Sequence, residues 1–209
     1  MVIKKTELII FAALLSGFIV AAWFRNGVWK DEITFLTDVS SKSPHIARAH
    51  INLGNAFMNA GLYDTAIGHL KNSLASDPWY AESHYNLGVS YLKTGRFDEA
   101  IPEFIEALRI NEVLRKGHFG EGVSLRNELG ARVYLGNIYN VKGMFLDAVS
   151  HYMAALAISP DDASVRYNLA LTLKKMGRIG DAKKEFEEVL RINPGDNEAR
   201  GNLQALGGI

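Results

Sequence analysis

The chain has 209 residues, 48% of them hydrophobic and 22% charged, a composition that excludes a disordered polymer and fits one domain with a small appendage. Its 23 Lys and Arg balance 23 Asp and Glu, which argues against a nucleic-acid binder, since that function needs surplus cations to displace phosphate counterions. There is no cysteine, so disulfides, thiolate metal sites and cysteine nucleophiles are excluded.

The first predicted element is one helix over about residues 6–24. From Leu8 to Phe24 the chain reads LIIFAALLSGFIVAAWF, with no charge. Seventeen residues at helical rise cover ~25 Å, and Thr6 and Glu7 bring the helix near the ~30 Å hydrocarbon core. Lys4 and Lys5 precede it, and Trp23 and Phe24 close it where aromatic rings favour the interface. Residues 1–27 therefore read as a membrane anchor. A cleaved signal peptide is the alternative, with Lys4–Lys5 as its basic region and Val20-Ala21-Ala22 as its small-residue site. The flanking cations orient the N-terminus toward the cytoplasm. The expected location is the inner (cytoplasmic) membrane, single-pass, with the remainder outside the cytoplasm in the periplasm, or secretion if the segment is cleaved.

Residues 28–46 follow. Trp29, Ile33, Leu36 and Val39 recur at helical spacing before Pro44, which predicts a helix serving as an N-terminal capping half-repeat. From Ala47 the chain repeats itself. Ala47-Arg-Ala-His-Ile-Asn-Leu-Gly-Asn-Ala-Phe57 returns 34 residues later as Ala81-Glu-Ser-His-Tyr-Asn-Leu-Gly-Val-Ser-Tyr91. Tyr134-Leu-Gly-Asn-Ile-Tyr139 and Tyr167-Asn-Leu-Ala-Leu-Thr-Leu173 carry it further. Each is followed by a second half that begins at a glycine: Gly61, Gly95, Gly143 and Gly177. These glycines sit where a first helix must stop, as a left-handed C′ residue does. Asp77-Pro78, Ser159-Pro160 and Asn193-Pro194 end the second helices. The predicted units are 47–80, 81–114, 129–162 and 163–196, with a cap helix at 197–206. An insertion of about 112–125, marked as a loop by Gly117, Gly120 and Gly122, separates the second unit from the third, and its flanking helices are expected to run a turn or two past the usual boundary.

This pattern resembles the tetratricopeptide repeat (TPR), a 34-residue helix–turn–helix. The resemblance implies an all-α fold, a right-handed superhelix of stacked hairpins over residues 47–209, here preceded by one transmembrane helix. Gly54 and Ala66 are small enough to let paired helices approach closely, at about 1 kcal/mol of helix propensity for the glycine.

No catalytic, metal-binding or cofactor-binding constellation stands out. Six histidines are scattered, and His50 and His84 share a repeat position that reads as packing beside the inter-helix core. Asparagine does recur. Asn52, Asn86 and Asn168 occupy the position before the Leu-Gly/Ala pair, and Asn202 repeats it in the last helix, while Tyr134 stands there in the third unit. Asn55 and Asn137 share a position one turn on. Asparagine is a mediocre helix former, and its amide offers both a donor and an acceptor to a peptide unit. These positions resemble the asparagine ladder of the TPR superhelix in O-linked N-acetylglucosamine transferases, where an extended peptide runs along the concave groove. The resemblance implies a partner-binding groove of Asn52, Asn55, Asn86, Asn137 and Asn168, with Tyr85 and Tyr167 adding apolar contact; the alternative is that these amides satisfy local backbone or face solvent. The carboxylate-clamp mode of other TPR proteins does not fit, because Ile51, Gly130 and Tyr134 stand at the matching positions.

Arg25-Asn-Gly-Val-Trp-Lys-Asp-Glu-Ile33 followed by Lys42-Ser-Pro44 also resembles the junction in polytopic membrane proteins with TPR tails, related to O-mannosyltransferases. The expected function is thus a non-catalytic, membrane-anchored TPR scaffold binding a protein or extended peptide. The alternative is an accessory or truncated part of a membrane glycosyl-transfer system.

Overall fold

A computed structural model describes residues 32–117 and 124–207. Among them are ten α-helices and no strand. The helices are α1 (Glu32–Lys42), α2 (Ala47–Asn59), α3 (Tyr63–Ser76), α4 (Ala81–Lys93), α5 (Phe97–Lys116), α6 (Leu125–Val141), α7 (Phe145–Ile158), α8 (Ala163–Lys175), α9 (Ile179–Ile192) and α10 (Asn197–Ala205). The chain divides into two compact units, one ending at Ser76 and the other beginning at Asp77. The first contains α1–α3, and the second α4–α10.

Four hairpins carry the fold: α2 with α3, α4 with α5, α6 with α7, and α8 with α9. The same two hydrogen bonds close the first helix of each. Gly61 N–H donates to Met58 O at 3.0 Å and Leu62 N–H reaches back to Phe57 O at 2.9 Å; Gly95–Arg96, Gly143–Met144 and Gly177–Arg178 repeat the pattern. This double closure requires a left-handed residue, and all four glycines lie at φ of 75° or 76°. A side chain there would strain the turn.

Inside each hairpin a small residue on the first helix faces a large one on the second. A Cβ on Gly54 would lie 2.9 Å from Leu70 Cγ, on Gly88 2.8 Å from Phe104 Cε1, and on Gly136 2.5 Å from Tyr152 Cε1. In the fourth hairpin Ala170 and Phe186 hold the corresponding positions in one core cluster, and both are fully buried. The core of the first unit is Ala49, Ile51, Leu53, Ala66 and Leu70. In the second, one continuous cluster includes Tyr152, Val165, Leu169, Phe186, Val189 and Leu203. Each such large side chain contributes roughly 1.5–3 kcal/mol by leaving water.

The insertion lengthens two helices. The second helices α3, α7 and α9 have 14 residues each, whereas α5 has 20. The first helices α2, α4 and α8 have 13, whereas α6 has 17. Ser124 opens α6 by accepting a hydrogen bond from Asn127 N–H at 3.2 Å. The middle of the insertion, 118–123, lies outside the described residues.

The expectation of a single-pass inner-membrane location is corrected. Among the described residues no helix is long and apolar enough to cross a membrane. The longest, α5, carries Asp, Glu, Arg and Lys along its length, and the burial of its apolar stripe is met by neighbouring helices. The segment 6–24 on which the expectation rested, with the anchor 1–27 as a whole, lies outside the described residues.

Candidate protein-binding face

The first helices of the second unit, α4, α6, α8 and α10, carry most of the asparagines and tyrosines singled out by the repeat. Within it α4 touches α6, and α6 touches α8. Asn137, part-buried on α6, accepts from the Tyr152 phenol on α7 at 2.7 Å and from Asn168 Nδ2 on α8 at 3.3 Å. Burial pushes the Tyr152 phenol up to about 12, against a hydrogen bond from Asn140. The carbonyl oxygen of Asn137 is thus a junction between three helices.

Tyr85 packs on Phe104 at 6.0 Å and beside Tyr134 at 6.4 Å between ring centroids. A Cβ on Gly130 would lie 2.5 Å from the Tyr85 hydroxyl oxygen, so any larger residue there would force the phenol to shift. Burial, then the hydrogen-bonded neighbour Tyr134, holds the Tyr85 phenol up at about 12. Tyr167 sets its ring edge-on to Phe186 at 5.7 Å and donates its hydroxyl to Glu198 at 3.1 Å. Asn202 Nδ2 donates to Tyr167 at 3.3 Å, and Lys174 donates to Asn202 Oδ1 at 2.9 Å. Burial and then Glu198 raise the Tyr167 phenol.

The structure therefore brings Asn137 and Asn168 together and joins Tyr167 to Asn202. Asn86 is part-buried on α4. Asn52, exposed, and Asn55, part-buried, lie on α2 of the first unit. Glu198 and Lys174 join this face through contacts that no repeated residue type announces.

A second series runs along the hairpins and accounts for most of the histidines. The fourth residue of each repeat stands against the twenty-third. His50 stacks on His69 at 6.0 Å, His84 Nδ1 lies 2.7 Å from Glu103 Oε2, and Arg166 donates to Glu185 at 2.7 Å. In the third hairpin Arg132 opposes His151, whose pKa burial lowers first and the arginine's charge second. The fourth residue also reaches the carbonyl that ends the preceding segment: His50 to Pro44 at 3.0 Å, His84 to Pro78 at 3.1 Å and Arg166 to Pro160 at 3.0 Å. Arg200 does the same to Pro194. These side chains satisfy backbone oxygens at helix ends, a structural task. Burial works to lower the His84 pKa, but the hydrogen bonds to Glu103 and Pro78 outweigh it and leave it raised.

Comparison with known proteins bears on the same residues. Two tetratricopeptide-repeat family models match, over residues 41–112 and 142–206. An inactive TPR repeat-containing thioredoxin of Arabidopsis thaliana is 39% identical over 72 residues, 34% of this chain and 10% of that protein. A TPR repeat-containing protein of Methanocaldococcus jannaschii is 37% identical over 57 residues, 27% of this chain and 10% of its own length. The matched stretch thus spans about a tenth of each of these relatives. A crystal structure of MamA superposes with a TM-score of 0.68 at 22% identity, covering 79% of this chain and 89% of that one. MamA from Desulfovibrio magneticus RS-1 gives 0.66 at 17% identity, with 77% and 83% covered. The structural likeness shows the fold, and the two family matches, one on each side of the insertion, show that residues 41–112 and 142–206 are tetratricopeptide repeats.

Proposed function

We propose that the chain is a non-catalytic interaction module that binds an extended polypeptide along the first-helix face of its repeats. The carrying observation is the recurrence of an amide at one first-helix position, Asn52, Asn86 and Asn168, each at least partly exposed. Asn168 gives one N–H to Asn137, and an asparagine amide has a second N–H and a carbonyl oxygen beyond that bond. Asn137 spends its oxygen on Tyr152 and Asn168, so it serves as a positioning residue. Asn55 assists in the first unit. The hydroxyls of Tyr85 and Tyr167 are engaged with Tyr134 and with Glu198 and Asn202, which leaves their rings for apolar contact.

The test uses peptides selected from a random display library against the full chain. Each side-chain hydrogen bond is worth about 0.5–1.5 kcal/mol net, so two per amide at two sites give ~2–6 kcal/mol. Asn86→Ala with Asn168→Ala is expected to weaken the selected peptide at least about thirtyfold. Unchanged affinity in a variant that still folds would remove the reading.

A further inference from the structure

The helix extensions on either side of the insertion build a cleft that shares no lining residue with the asparagine face. It has a volume of about 600 Å³ and opens among α5, α6 and α7 of the second unit. Ile105 and Leu108 form its apolar wall, and Arg109, Arg115, Lys116 and Arg132 surround it. Glu112, Arg115 and Lys116 come from the turns by which α5 exceeds its 14-residue counterparts, and Glu128 from the extra turn of α6. Hairpins of ordinary length lack these walls.

All four cations are paired, Arg109 and Lys116 at exposed sites and Arg115 and Arg132 on the buried Glu128. Arg109 holds Glu106 at 2.6 Å with the two side chains 46% and 35% exposed, and Lys116 holds Glu112 at 2.6 Å with 75% and 64% exposed. Lys116–Glu112 is a single-point, solvent-screened pair whose acid an incoming carboxylate can replace at little cost, whereas Arg109 grips Glu106 at two points, and an incoming carboxylate must share that fork. Arg115 and Arg132 share the single buried carboxylate of Glu128, and two guanidinium groups have more N–H donors than one carboxylate can use. The buried Nδ1 of His151, which also lines the cleft, has no hydrogen-bond partner among the described residues. Ile105 is 45% exposed beside these cations. Four permanent cations against the carboxylates of Glu106, Glu112 and Glu128 leave a small positive surplus, which suits isolated carboxylates and is too weak for a polyphosphate backbone.

We infer that this cleft is a docking site for an acidic peptide segment, with carboxylates at Arg109, Lys116 and the outer edge of the Arg115–Arg132 pair and an aliphatic side chain on Ile105 and Leu108. It goes beyond the first-helix reading and stands independently of it.

The experiment is fluorescence anisotropy on the full chain with a fluorescein-labelled, end-blocked heptapeptide of two leucines and three glutamates. Its counterpart carries three lysines, and a tetrathymidylate supplies the same net charge as the acidic peptide. Saturable binding of the acidic peptide is expected, at least about tenfold tighter than either control. Arg109→Glu with Lys116→Glu should weaken it at least about tenfold, while Asn86→Ala with Asn168→Ala leaves it unchanged. Should the double reversal fail to fold by circular dichroism, Ile105→Asp on the apolar wall carries the same expectation. Absence of saturable binding, equal binding of the tetrathymidylate, or full affinity in a folded cleft variant overturns the site.

Discussion

Tyr152 donates its phenolic hydrogen to Asn137 Oδ1 across 2.7 Å, from a ring that is fully buried in the core of the second unit. The bond separates two asparagines that the sequence assigns to the same groove from different repeat positions. Replacing Asn137 by alanine leaves a buried hydroxyl without its acceptor, which costs about 1–3 kcal/mol. Replacing Asn168 removes only a 3.3 Å bond from a part-buried amide, and alanine improves helix propensity by a few tenths of a kcal/mol. Urea denaturation is expected to show clear destabilisation for Asn137→Ala and little change for Asn168→Ala. Equal effects would assign both residues to the fold.

The packing of the hairpins gives a second prediction. At Gly136 a new Cβ would meet the Tyr152 ring at 2.5 Å, and that ring cannot move because it is enclosed. Overpacking of about 1–3 kcal/mol outweighs most or all of the ~1 kcal/mol that alanine adds as a helix former, so Gly136→Ala should lose up to about 2 kcal/mol of stability. A Cβ on Gly68, in the middle of α3, would meet nothing within 4 Å. Gly68→Ala should therefore gain about 0.4–1 kcal/mol. Chemical denaturation of the two variants reads both signs, and a stabilised Gly136→Ala would show that the Tyr152 ring shifts freely.

The hairpins themselves were legible because each needs the same letters: glycine at the left-handed stop and a small residue against a large one. The 4/23 series was legible only in the shared position of His50 and His84, because the pairs read His–His, His–Glu, Arg–His and Arg–Glu and no one residue type runs through all four hairpins. What recurs is a donor beside a proline carbonyl, a relationship visible only once the chain turns back on itself. The role of Asn137 was hidden for a different reason. Its partner stands where the other hairpins have Leu70, Phe104 and Phe186, so the phenol that binds it occurs once. The lengthening of α5 and α6 was expected from the insertion, but the cleft was not, since which of their added side chains meet depends on how the two extensions pack.

Two histidine environments should respond to pH in opposite directions. His84 has a raised pKa against an ordinary 6.5, so it binds its proton more tightly when folded. Its contribution is complete below that ordinary value and fades as pH rises through the raised one. His151 has a lowered pKa, so folding favours its neutral form and stability is lost as pH falls below the ordinary value. Thermal melts at about pH 5.5 and 8.5 should show His84→Gln losing several degrees more at the acidic pH. His151→Phe keeps a ring against Tyr139, which lies 5.5 Å away, and should raise the melting temperature chiefly at the acidic pH. Identical shifts at both pH values would show that neither proton is linked to folding.

Glu128 offers the sharpest electrostatic test. Its side chain is 6% exposed and accepts from Arg132 at 2.9 Å and from Arg115, whose own side chains are 27% and 51% exposed. Burial works to raise its pKa, but the hydrogen bonds from Arg132 and Arg115 outweigh it and leave it lowered. A carboxyl with a depressed folded-state pKa stabilises above its ordinary value, and that contribution disappears as pH falls through the folded-state value. Because the two arginines keep contact with water, removing the carboxylate does not strand a buried cation. The cost of Glu128→Gln at neutral pH is therefore expected at about 1–3 kcal/mol, the range for a charge-assisted hydrogen bond, below the loss from a fully enclosed ion pair. The gap between wild type and Glu128→Gln in urea should be full at pH 7 and should narrow as pH falls below the ordinary carboxyl value of 4.5. A gap that stays constant to about pH 3 would mean that the amide loses packing alone and that the charge contributes nothing. Glu128→Met separates the remaining possibility: if desolvation cancels the pairing, this variant of similar volume will match the wild type at neutral pH.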